Sequence, residues 1–163
     1  MSALRKMSVR RILLAVLCAM PYAEYASASS LEDALREAPM GEPVMIGPLL
    51  GPDVEAVCVL QPYQDQLSTR DDVAERLNAQ LRAQALAVDE GHFIFAIVRN
   101  HTLQLDRIKR SSRLDVFGVR PLPTGTSLPD KFAQAECSPA HTAAIVKFIY
   151  RERAYVVFGA VPR

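Results

Sequence analysis

The sequence predicts an α+β domain in two layers: a mostly antiparallel β-sheet with one long amphipathic helix packed on a face, locked by one disulfide. Three observations carry that expectation. Short apolar runs come in pairs around polar turns, as hairpins do. Residues 68–86 repeat their apolar side chains at helical spacing. A leader at the start holds one of the three cysteines, and the two that remain, Cys58 and Cys137, have a single intramolecular pairing.

In the leader, Arg5, Lys6, Arg10 and Arg11 precede the unbroken apolar stretch Ile12–Met20, followed by Pro21 and the small-residue end Ala26-Ser27-Ala28. That order reads as a secretory signal peptide cut after Ala28. The apolar stretch is too short to cross a bilayer, which takes roughly 20 residues. The chain is therefore expected to divide into a signal, 1–28, and a single globular domain, 29–163. That domain would work in the periplasm or the medium, with no transmembrane segment after cleavage. Cys18 follows the bulky Leu17, which does not suit lipoprotein processing. In an oxidising compartment Cys58 and Cys137 are expected to join. Cleavage removes Arg5, Lys6, Arg10, Arg11 and Glu24, so the formal charge moves from +1 to −2. A weakly acidic domain does not suit nucleic acid, which draws basic surfaces.

Taken in order, Leu31–Ala38 reads as a short helix, with Ser29 or Ser30 as its cap and Pro39 beyond its end. Gly41–Pro52 reads as a connector carrying a short edge strand at Val44–Ile46. Val54–Leu60 alternates as a strand and Pro62 stops it. The clearest helix follows, capped by Ser68 or Thr69 with Asp71 or Asp72 three residues on. Val73, Leu77, Leu81 and Ala85 form its stripe, Asp72 and Arg76 are placed to pair, and it runs to about Leu86. Phe93–Val98, a turn at Asn100-His101 and Thr102–Ile108 make the first hairpin. The second face of its return strand, Thr102, Gln104 and Asp106, is expected to meet water. Prolines make most of Arg113–Ser138 irregular, with helical turns expected within Leu128–Ala135. Ala144–Tyr150 and Ala154–Val161 form the second hairpin around Arg151-Glu152-Arg153, and its apolar residues are the expected heart of the core.

Candidate chemistry is sparse. Neither a G-x-S-x-G elbow nor its relatives occur, so no residue is assigned as catalytic and no cofactor or resident metal is expected. Asp89, Glu90 and His92 lie within four residues, the one set a divalent metal could use, and they define an alternative reading as a small envelope hydrolase or metal-dependent enzyme. His101 and His141 read as loop histidines. The strongest local signal is basic: Arg107, Lys109, Arg110 and Arg113 fall in seven residues of an acidic domain. Tyr63, after Pro62 at a strand end, is a candidate contact residue. With Arg151 and Arg153 of the second turn, these residues form the expected partner- or anion-binding surface. Reversing Arg110 and Arg113 to Glu is expected to weaken partner binding while leaving stability nearly unchanged.

Export signal, compact domain, one disulfide and no catalytic set together resemble, in build alone, small periplasmic lysozyme inhibitors and toxin-immunity proteins. The inhibitor loops of that build are missing: no histidine lies between two close cysteines and no S-G-x-x-Y segment occurs. The expected role is a non-enzymatic binding protein acting on another envelope or secreted protein. A structural accessory of an envelope or secretion complex is the remaining class.

Overall fold

The computed structural model describes residues 27–118 and 120–162, so the expected signal peptide lies outside the described residues except for Ser27 and Ala28. The elements in order are α1 (Ser27–Glu37), β1 (Pro43–Met45), α2 (Gly47–Leu50), β2 (Val54–Leu60), α3 (Asp72–Ala83), β3 (His92–Arg99), β4 (Thr102–Lys109), β5 (Asp115–Phe117), β6 (Ala133–Gln134), β7 (Cys137–Pro139), β8 (Ala143–Tyr150) and β9 (Arg153–Ala160). The strands form two sheets rather than the single expected one. One has the order β4-β3-β2-β7; the other runs β1-β8-β9-β5, with β6 also on β9. All pairings are antiparallel except β5 on β9.

Strand alternation explains the layers. In β2, Val57 and Val59 point into the cluster shared with Phe93, Phe95, Ile145, Val156 and Phe158 between the sheets. Ala56, Cys58 and Leu60 point the other way, onto Leu77 and Leu81 of α3. A third cluster backs the second sheet, where Val146, Phe148 and Val157 are covered by Phe132, Leu122 and Leu128 of the 118–132 connection. Leu31 and Leu35 of α1 are fully buried in the central cluster. Buried Lys147 of β8 donates from its Nζ to the Arg36 carbonyl and so ties down the last turn of α1. Its desolvation lowers the ammonium pKa.

Several local expectations change. Helix α1 includes Ser29 and Ser30 instead of starting from them as caps. Helix α3 is shorter than expected, twelve residues, and its N-cap is Asp71, whose carboxylate accepts from Ala74 N at 2.8 Å. Ser68 and Thr69 do not cap it: their backbone N–H groups donate to Oε2 of Glu136, at 2.7 and 2.9 Å. Glu136 also accepts from the Thr69 hydroxyl and from Gln64, so one nearly buried carboxylate holds the whole approach to α3. Arg76 bonds the Asp72 carbonyl, not its carboxylate. No helical turn forms in Leu128–Ala135; β6 takes part of it. The second face of β4 meets water only in part: Thr102 is exposed and Gln104 half-buried, but Asp106 is 6% exposed. A period of two separates faces but does not say which face is wet when the strand borders two cores.

The disulfide is present as expected. Cys58 and Cys137 face each other in the β2–β7 register with Cα atoms 4.0 Å apart. It fastens a three-residue edge strand to the middle of a sheet.

Candidate functional site

Four loops meet at one end of the domain: 61–67 after β2, 87–91 before β3, 110–114 between β4 and β5, and the β8–β9 turn. Backbone bonds join them. Tyr63 N donates to Val88 O at 2.8 Å, Arg110 N to Gly91 O at 2.9 Å, and Ala154 N to Ser112 O at 2.9 Å. This end therefore collects the basic run, Tyr63 and the Arg151–Arg153 segment, which are separated by up to 90 residues in the chain.

At its centre is Asp115, fully buried. Its Oδ1 accepts from Arg110 Nε at 2.6 Å and from Val116 N at 2.8 Å. Its Oδ2 accepts from Arg110 Nη2 at 3.0 Å and Arg153 Nη1 at 2.9 Å. The Asp115 hydrogen bonds are the main cause of a raised Arg110 pKa. Arg110 also donates to the Glu90 carbonyl, 2.7 Å away. Two of the candidate contact arginines thus act first inside the fold: Arg110 ties the end of β4 to the other sheet, and Arg153 braces β9 against its neighbour β5. The expected silence of Arg110→Glu on stability is corrected accordingly, because it would set a second carboxylate against buried Asp115. A sequence signal for this strut existed: Asp115 sits inside an otherwise apolar run, Leu114-Asp115-Val116-Phe117, five residues from Arg110.

Arg107 is exposed and pairs with Asp89 at 3.0 Å. Lys109, Arg113 and Arg151 are exposed and make no ion pair among the described residues. The Arg151 guanidinium lies over the Tyr150 ring, 5.2 Å from its centroid. The β8–β9 turn has two residues, Arg151 and Glu152, both at positive φ, 47° and 62°. Asn or Gly normally supplies that conformation.

Tyr63 is the most exposed large apolar side chain among the described residues, at 73%. Its φ is +67°, a left-handed conformation costing a non-glycine residue about 1–2 kcal/mol. The Val88 bond holds the backbone in that state, which turns the ring outward. Partial desolvation, then a hydrogen bond with Glu90, raises the phenol pKa. A spectroscopic titration is expected to show one tyrosine above the ordinary range, and Glu90→Gln is expected to bring it down. An unchanged titration in that variant would separate the two side chains.

The metal-ligand set does not assemble. The Asp89 carboxylate bonds His92 Nδ1 at 2.7 Å, Gly91 N and Arg107, while Glu90 turns toward Tyr63. Among the described residues no three His, Cys, Asp or Glu side chains are grouped to hold a metal ion. The His92 bond is the chief reason that the Asp89 pKa is lowered. Elsewhere, a depression of about 320 Å³ lies beside α3, floored by Ala56, Val73, Val98 and Cys137. His101 stands at its hairpin tip, 3.3 Å from Glu55, and His141 is exposed on the β7–β8 connection.

Among protein-family models, curated proteins and solved structures, none matches this chain.

Proposed function

We propose that this chain is an exported, non-enzymatic binding module that docks or blocks an acidic partner protein with the end of the domain bearing Tyr63. The observation that carries the proposal is the state of Tyr63: a large ring left in water on a backbone held against its own preference. Strained residues of this kind persist where the surroundings over-determine them, and they concentrate at sites of function. Around it, Lys109, Arg113 and Arg151 supply positive charge not used inside the fold. Aromatic and arginine side chains are the ones that dominate protein contacts.

Rigidity supports the same reading. The Asp115 strut and the disulfide hold the loops before a partner arrives, so little entropy is lost on docking. The leader supports export, and the disulfide suits an oxidising compartment.

Affinity capture with the oxidised protein from the envelope fraction and culture medium is expected to retain one dominant acidic protein at near-equal stoichiometry. Tyr63→Ala should weaken that complex roughly thirtyfold, the size of a central contact residue. Arg113→Glu should mainly slow association and flatten the salt dependence. Retention of the same protein by the double variant at unchanged affinity would move the docking surface elsewhere. A failure to retain any partner would remove the proposal.

A further inference from the structure

The two cysteines of the disulfide differ in access. Cys58 is fully buried in the middle of its sheet, between β3 and β7. Cys137 is only partly covered, on a three-residue strand at the sheet's end. The depression of about 320 Å³ beside α3 reaches Cys137 along with Ala56, Val73, Val98 and Pro139. From Cys137 a chain of contacts leads to Tyr63. Its neighbour Glu136 is 8% exposed and has no cationic partner among the described residues. Glu136 Oε2 accepts from Ser68 N, Thr69 N and the Thr69 hydroxyl, and its Oε1 accepts from Gln64 Nε2 at 3.4 Å. The same Gln64 side chain accepts from Gln61 N at 2.7 Å, and Gln64 N donates to Gln61 O at 3.1 Å. Those bonds close the turn that carries Tyr63 at positive φ. A nearly buried carboxylate needs its donors, so the Glu136 clasp lasts only while β7 keeps its place.

We propose that the Cys58–Cys137 disulfide is a redox control on the Tyr63 end, opened by a dithiol that attacks at Cys137. One thiolate of the dithiol bonds to Cys137 Sγ. The bond between the two cysteines breaks, and Cys58 leaves as a thiolate and takes up a proton. The second thiol then displaces Cys137. The dithiol ends as a disulfide, and two electrons and two protons have passed to the protein. After cleavage only backbone pairing holds β7 to β2, so the strand frays and the Glu136 clasp on residues 64–69 opens. As regulation of partner docking this rests on the binding reading above; the change in the loop does not.

Glutathione, a monothiol, maps the point of attack. Under native conditions the mixed disulfide trapped by acid should sit on Cys137 and not on Cys58. Hydrogen exchange read by mass spectrometry, with and without dithiothreitol, tests the consequence. Exchange in residues 61–70 is expected to rise at least about tenfold on reduction, and more than in β3 or β9. Glu136→Ala with the disulfide intact should give a similar rise. Reduction of that variant should add less than about threefold, because one clasp cannot be lost twice, whereas independent effects would multiply. An adduct on Cys58, a loop still protected after reduction, or a full further rise in reduced Glu136→Ala would overturn the proposal. Unfolding of the whole molecule on reduction would overturn it too, since a control must leave the rest of the fold standing. With a captured partner, reduction should weaken binding, and equal affinity before and after would remove the control. Capture of no partner would remove the docking reading instead, and the loop would still be decided by exchange.

Discussion

Asp115→Ala is expected to destabilise the protein by about 3–5 kcal/mol, since removing one partner of a buried ion pair leaves the other uncompensated. Asp115 is fully buried and anchors two arginines from different segments, β4–β5 and β9. Arg110 and Arg153 are 27% and 39% exposed, so water can partly re-solvate them. The expected loss therefore lies toward the lower end. Urea unfolding with linear extrapolation measures it. Asp115→Asn should fall between wild type and Ala, since the amide keeps an acceptor oxygen but loses the charge. A loss below about 1 kcal/mol for Asp115→Ala would place this pair with ordinary surface ion pairs. The variant should also loosen the Tyr63 end, because Arg110 reaches both Asp115 and the Glu90 carbonyl.

Breaking the disulfide is expected to have a comparable effect. Joining residues 79 apart removes chain entropy from the unfolded state. The chain-entropy model values that at about 4.5 kcal/mol, with measured cases more often 2–4. Cys58→Ala with Cys137→Ala should therefore lower the urea midpoint. It should also raise the slope of the transition, because the unfolded chain is free to expand and exposes more surface. Local effects should centre on β7. That strand has three residues and, among the described residues, pairs with β2 alone, and Glu136 just before it holds the approach to α3. Amide exchange in residues 64–70 and 136–140 should rise before exchange in β3 or β9 does. An unchanged slope, with protection lost evenly across the molecule, would mean that the cross-link acts on the folded state instead.

The strands show how far local pattern reaches. The Val54–Leu60 expectation matches β2 at both ends, and the hairpins around Asn100-His101 and Arg151-Glu152 occur within a residue or two of their expected bounds. These segments carry their information locally: β-branched and aromatic runs, stopped by a proline or a turn-forming residue. Short elements were less legible. Helix α2 and strands β5, β6 and β7 lie in stretches broken by Gly and Pro, and each is held by a neighbour distant in sequence. β7 is a strand because β2 is beside it, and β5 because β9 is.

The Tyr63 end was legible only as a list. Tyr63, the basic run and the second turn all stood out as residue types, and the fold brings them together. Which cations remain free was not legible. Arg110 and Lys109 are neighbours in the chain, yet one holds a buried carboxylate while the other stands in water.

By itself the sequence determined the cysteine pairing, the main strands and the central helix, and it placed the candidate contact residues. Each of these follows from spacing along the chain: two cysteines within the expected domain, a period of two, a period of three to four. Only the tertiary structure decided that there are two sheets, that Asp106 and Asp115 face inward, and that Tyr63 adopts a left-handed backbone. Those outcomes depend on what packs across from each residue, and burial against a distant partner outweighs local preference when the core on both sides of a strand must be filled.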